Sequence, residues 1–122
     1  MNKHEREVFD LLEVKYAKIN YKGFRKTLNK KIELNADDEE MFETLDIQFT
    51  PDGYMFNEKE KTCVIFEVEN TNPLSKFKLD HMSKIAVDFD YYYWYLHLIV
   101  VNRFGHESEY NLYEHYNKIT FP

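Results

Sequence analysis

The amino-acid sequence predicts an α/β domain in which helices flank a small mixed sheet, and three observations lead there. An amphipathic repeat of three and four residues runs from Glu5 to Ile19. Two nearly unbroken apolar runs follow, Cys63–Phe66 and Tyr95–Val101, with a second amphipathic stretch, Leu74 to Phe89, between them. Such runs suit strands covered on both faces, and the order helix, three strands, helix, strand fits an α/β sandwich. The chain has 122 residues, enough for one domain with its own core. Apolar residues make up 43% and charged residues 31%, with only six Gly and Pro together, which excludes a disordered or collagen-like chain.

The elements are justified in order. Val8, Leu11, Leu12, Tyr16 and Ile19 form the buried stripe of helix one. Gly23 interrupts it, Lys30 to Leu34 reads as a short extended piece, and Asp37-Asp38-Glu39-Glu40 before Met41-Phe42 reads as a helical turn with acids at its start. Three strands are expected at Leu45–Phe49, Gly53–Phe56 and Thr62–Glu69, the last two joined as a hairpin through the polar residues 57–61. Helix two starts at Asn72-Pro73, where asparagine suits the cap and proline the first turn, and its apolar side carries Leu74, Phe77, Met82, Ile85, Ala86 and Phe89. Strand Tyr95–Val101 ends at the turn Asn102-Arg103-Phe104-Gly105. Glu109 to Tyr116 reads equally as an edge strand or a short helix.

Charge and cysteine usage narrow the function classes. The single cysteine, Cys63, excludes an intramolecular disulfide framework and a cysteine-built zinc site, and it points to a reducing cytoplasm. Residues 1–7 are charged where a signal peptide needs an apolar stretch, and the run around 91–101 is too short and tyrosine-rich to span a bilayer, so neither export nor a membrane partner is expected. A net charge of −6 argues against a protein that coats nucleic acid through bulk charge. The charge is uneven, however. Lys15, Lys18, Lys22, Arg25, Lys26, Lys30 and Lys31 fall in one stretch without an acid, which leaves −13 for the rest of the chain. That segment either faces phosphates or is a solvated face that offsets residues 37–40. No Gly-rich phosphate loop, Gly-x-Ser-x-Gly elbow or paired-histidine metal motif is present.

The chemistry-bearing pattern is Glu67-Val68-Glu69, at the end of the most hydrophobic strand. Side chains two apart on a strand share a face, so both carboxylates project on the side used by Cys63 and Ile65. Asp52 begins the preceding strand, and the start of one antiparallel strand lies beside the end of its partner, so Asp52 could reach Glu67. Three carboxylates, joined by the Val68 carbonyl, suit Mg²⁺ or Mn²⁺. Such an ion activates water and neutralises charge developing on a phosphate, which matches phosphodiester hydrolysis. The competing reading is a strand emerging into solvent, with Asp52 as a turn residue before Gly53.

Pro51-Asp52, a hairpin, an apolar strand ending in Glu67-x-Glu69, a helix and another apolar strand together resemble the core of the PD-(D/E)xK nuclease superfamily, over roughly residues 45–101. The stretch FEVENTNPLS, residues 66–75, is also similar to small uncharacterised phage and bacterial proteins of this type. The resemblance implies a restriction-endonuclease-like α-β-β-β-α-β core, with Asp52 and Glu67 as ligands of the divalent ion and a lysine at position 69 that orients or activates water. Glu69 stands in that place. Some restriction endonucleases of the superfamily carry glutamate there, and others supply the lysine from the next helix. Lys76, Lys78 and Lys84 lie on helix two, and Lys78 with His81 one turn later could face the site. Glu13 offers a fourth carboxylate or a surface charge, Tyr91-Tyr92-Tyr93-Trp94-Tyr95 a stacking platform, helix packing or a dimer contact, and His97 a satisfied histidine among apolar neighbours.

The expected function is therefore a Mg²⁺- or Mn²⁺-dependent, nuclease-like hydrolase of DNA. Asp52, Glu67, Glu69 and Lys78 are its candidate catalytic residues, with Asp52, Glu67 and Val68 on the metal. Lys22, Arg25, Lys26 and Lys30 are expected on the nucleic-acid backbone. A homodimer would address both strands. The alternative is a catalytically silent phage or bacterial protein of the same fold that acts on a host protein partner, favoured by the missing lysine and the net −6.

Overall fold

A computed structural model describes residues 1–35, 47–70, 72–91 and 94–121. The expected helical turn at 37–42 lies outside the described residues. The elements run α1 (Lys3–Lys15), α2 (Phe24–Asn35), β1 (Gly53–Asn57), β2 (Thr62–Val68), α3 (Lys76–Tyr91), β3 (Tyr95–Val101), β4 (Glu107–Asn111) and α4 (Leu112–Thr120). The strands form one mixed sheet in the order β1-β2-β3-β4, antiparallel at both edges and parallel between β2 and β3. Helix α3 is the crossover that a parallel pair requires. Among the described residues no helix is long and apolar enough to cross a membrane.

Alternation along the central strands splits the core into two layers. Val64, Phe66 and Val68 of β2 pack with Ile99 and Val101 against Val8, Phe9 and Leu12 of α1. Cys63 and Ile65 face the other way, with Leu96, Leu98 and Val100, onto Phe24, Leu28 and Ile32 of α2 and Met82, Ile85, Ala86 and Phe89 of α3. Burial on both faces explains why the two strands carry so little polar alternation.

Several expected boundaries change. Helix α1 stops at Lys15, where Tyr16 turns extended and Lys18 adopts φ 66°, so Ile19 lies beyond it. Asn20 instead exchanges two backbone hydrogen bonds with Tyr54, at 2.8 and 2.9 Å, which stitches the connection to α2 onto β1. Lys30 to Leu34 is helical, not extended, because Phe24, Leu28 and Ile32 recur every four residues and bury one side of α2. The expected strand at 45–49 is absent over its described part: Ile47 and Phe49 are buried but join no ladder, while residues 45 and 46 lie outside the described residues.

Helix α3 begins at Lys76, after Asn72-Pro73, because Ser75 caps it: Ser75 Oγ accepts from the Lys78 N–H at 3.1 Å. Phe77, expected on the apolar side, is 83% exposed. The ambiguous stretch from Glu109 holds both a strand and a helix. Asn111 ends β4, and its side chain accepts from the Glu114 N–H to cap α4. Trp94 is buried and stacks on Phe89, and Tyr95 is exposed, so these two do not form a shared platform; Tyr92 and Tyr93 lie outside the described residues.

Candidate metal-carboxylate site

Register brings the first two acids together. Gly53 pairs with Phe66, so Asp52 comes opposite the end of β2, and Asp52 Oδ2 accepts from the Val68 N–H at 2.8 Å. That bond fixes the Asp52 carboxylate against the strand carrying Glu67. Val68 thus reaches the pair through its backbone N–H, while its side chain packs in the α1 layer. Glu67 points to the α3 layer, where Cys63 and Ile65 on the same face are wholly buried, and Glu67 itself is 5% exposed.

A cation arrives from the neighbouring helix. Lys78, in the first turn of α3, places Nζ 2.8 Å from Glu67 Oε1. The ammonium lies off the direction of a well-aligned hydrogen bond, so Oε1 is buried with an ionic partner and no aligned donor. Burial, then the charge of Asp52, pushes the Glu67 carboxyl from the usual 4.5 up to about 8, and the nearby ammonium pulls the other way. Near neutral pH Glu67 therefore holds its proton readily, and hydrogen bonding with Asp52 favours that form.

The remaining candidates are placed differently. Glu69 lies past the last residue of β2, held by its N–H to the Val101 carbonyl at 2.8 Å, and lines a separate cleft. Among the described residues no three His, Cys, Asp or Glu side chains form a metal-ligating group, so Glu69 does not complete a triad with Asp52 and Glu67. Glu13 lies on α1, over the opposite face of the sheet from Glu67, where it accepts from the Tyr21 hydroxyl and pairs with Arg6 at 3.6 Å. It is therefore not a fourth ligand.

His81 lies one turn after Lys78. Its Nε2 accepts from the Gln48 N–H at 3.3 Å, and its ring meets Phe49 edge to face. These contacts tie residues 48–49 to α3 and shape a cleft of about 330 Å³ lined by Gln48, Phe49, Thr50, Phe77, Lys78 and His81. Lys78 thus belongs both to the carboxylate pair and to an open cleft.

The basic segment divides. Lys15 pairs with Glu107 at 3.3 Å and Lys31 pairs with Glu58. Lys22, Arg25, Lys26 and Lys30 are exposed, the last two on the side of α2 opposite its buried stripe, and among the described residues none forms an ion pair. Tyr54 fixes the start of this surface: its hydroxyl donates to the Lys22 carbonyl at 2.5 Å.

Sequence reasoning missed the cleft beside Glu69, formed by Asn70, Asn72, Pro73, Asn102, Arg103 and Phe104. Its only sequence signal was an aromatic within a turn motif. Comparison with protein-family models, curated proteins and solved structures finds no match.

Proposed function

We propose that the protein is a metal-dependent nuclease-like hydrolase of DNA, on a restriction-endonuclease-like variant of the α/β fold. One observation carries the reading: Asp52 and Glu67 meet at the end of a buried strand with Lys78 supplied from the next helix. A lysine from the helix answers the departure at position 69. The donor set suits Mg²⁺ or Mn²⁺, since such ions bind through one or two carboxylates and leave further positions to water and substrate phosphate. The buried Glu67 oxygen without an aligned donor is where such a ligand bond would form. Asp52, Glu67 and the Val68 carbonyl would hold the ion, which when bound supplies an activated water and charge neutralisation at phosphate.

The chain's own residues do the rest. Asp52 is held by the Val68 N–H, so one carboxylate is oriented before any ligand arrives. Lys78 lines the open cleft and is 30% exposed, so its ammonium can leave Glu67 for a phosphate oxygen or the attacking water. Lys22, Arg25, Lys26 and Lys30 offer exposed cations to the backbone, and a homodimer would present two such sites to a duplex.

Incubating supercoiled plasmid with Mn²⁺ or Mg²⁺ tests this. Nicking by wild type should fall about a hundredfold or more in Asp52→Ala, Glu67→Ala and Lys78→Ala. No nicking by wild type, or equal nicking by the variants, removes the enzyme. Calorimetric titration with Mn²⁺ then separates a metal-binding but silent interaction protein, which Glu69 and the net −6 favour, from a domain with no metal site.

A further inference from the structure

The cleft of about 340 Å³ at the carboxyl ends of the parallel strands β2 and β3 is built differently from the Lys78 cleft. Its floor comes from Glu69, Asn70, Asn72 and Pro73, between β2 and α3, and its wall from the β3–β4 turn. That turn is tightly held. Asn102 Oδ1 accepts from the N–H groups of Phe104 at 2.9 Å and His106 at 3.0 Å, and the Asn102 N–H donates to the His106 carbonyl. Gly105 supplies the φ of +83° the turn needs. Phe104 on this turn is 70% exposed, with the Arg103 guanidinium 4.8 Å from its ring centroid. The guanidinium meets one face of the ring, and the open face suits stacking on a planar ligand.

The polar groups of the cleft indicate which ligand. The carboxylate of Glu69 accepts paired N–H groups, while Arg103 in the wall offers a cation to an adjoining phosphate. Ligands of α/β sheets gather beyond the carboxyl ends of parallel strands, where this cleft lies. Resting on the nuclease reading above, we infer that the cleft holds one unpaired guanine of a single-stranded DNA segment, stacked on Phe104 with its Watson–Crick edge on Glu69. Guanine alone among the four bases presents N1–H and N2–H₂ side by side, two donors matched to the two oxygens of one carboxylate. Adenine presents an acceptor there, and thymine flanks its single N–H with acceptors. That edge is reachable only when the base is out of a duplex. Glu69 sits two residues from Glu67, so the bound base would flank the reacting phosphate. The substitution of a base-reading acid for the expected lysine then has a purpose of its own.

Binding in EDTA tests this apart from catalysis. Fluorescein-labelled single-stranded 12-mers of dT carrying one central dG, dA, dC or deoxyinosine are titrated with the full chain and followed by anisotropy. The dG oligomer should bind about tenfold tighter than the dA and dC oligomers, with deoxyinosine, which lacks the N2 amine, in between. Glu69→Gln should abolish the preference, and Phe104→Ala should weaken every oligomer about tenfold. Both side chains are at the surface, and matching circular dichroism confirms that the variants fold. Equal affinity for all bases, a preference unmoved by Glu69→Gln, or a duplex bound as tightly as the single strand overturns the inference. Plasmid nicking without a guanine preference removes this site and leaves the nuclease reading. A guanine preference without nicking does the reverse.

Discussion

Replacing Glu67 by glutamine should flatten the pH dependence of stability. The Glu67 carboxyl is held up to about 8 against an ordinary 4.5, chiefly by burial and then by Asp52. In EDTA its protonated form therefore belongs to the folded state, and its stabilising contribution is complete below pH 4.5. Above that pH the unfolded chain loses the proton first, and stability falls by about 1.4 kcal/mol per pH unit until the folded group ionises near pH 8. Over the whole window the loss is on the order of 5 kcal/mol, and between pH 5 and pH 9 roughly 4. Glutamine keeps the shape, still offers an oxygen toward Lys78, and does not titrate. Urea unfolding of wild type and Glu67→Gln at pH 5, 7 and 9, with equal m-values, measures the difference directly. Wild type should lose several kcal/mol relative to the variant across that range. Parallel stability curves for the two proteins would refute the claim that Glu67 is a buried, proton-holding acid.

Two further predictions test the scaffold around the site. A Cβ at Gly53 would lie 2.8 Å from Phe9 Cε1 and 3.1 Å from Ile19 Cγ2, so Gly53→Ala should destabilise by about 1–3 kcal/mol, read as a lower urea midpoint. Cys63 is wholly buried and its thiol is pushed far up by that burial, so a disulfide reagent should leave the native chain unlabelled and modify one thiol per chain in urea. Rapid labelling without denaturant would contradict the packing of β2 against α3.

The legible parts of the fold were those that a short window of residues decides. Cys63–Phe66 and Leu98–Val101 are buried on both faces, and a continuous apolar run signals that without knowledge of the partner. Lys30 to Leu34 misleads for a converse reason. Lys31, Ile32, Glu33 and Leu34 alternate like a strand, whereas the helical repeat that governs them reaches back to Phe24 and Leu28 through intervening cations. The Asn72-Pro73 start of helix two failed because proline restricts its predecessor but does not oblige a helix to begin, and Ser75 makes the cap.

The candidate site divides in the same way. Asp52 and Glu67 were legible because hairpin register follows from sequence spacing. Glu69 was not, because the parity rule that aligned it with Glu67 stops at Val68, where the ladder ends. Lys78 could be singled out with His81 from the three helix lysines, but its contact with Glu67 depends on the rotation of α3 over the sheet, a tertiary quantity. The cleft beside Glu69 joins segments about thirty residues apart, and no local pattern reports such a meeting.

The position of Glu67 is itself the strongest argument for function. Cys63 and Ile65, on the same face of the same strand, are apolar and wholly buried, and a leucine at 67 would continue that packing without any desolvation penalty. A carboxyl there is costly to ionise, and its charged form depends on Lys78, whose contact is imperfectly aligned. Without Lys78 the buried carboxyl has no cation to support its charged form, so the arrangement is fragile as pure architecture. Positions that break the local rule of a buried strand are characteristically functional or strained ones. Were Asp52 and Glu67 to hold a divalent ion, the Glu67 proton would be lost at neutral pH, so metal uptake would be tied to proton release.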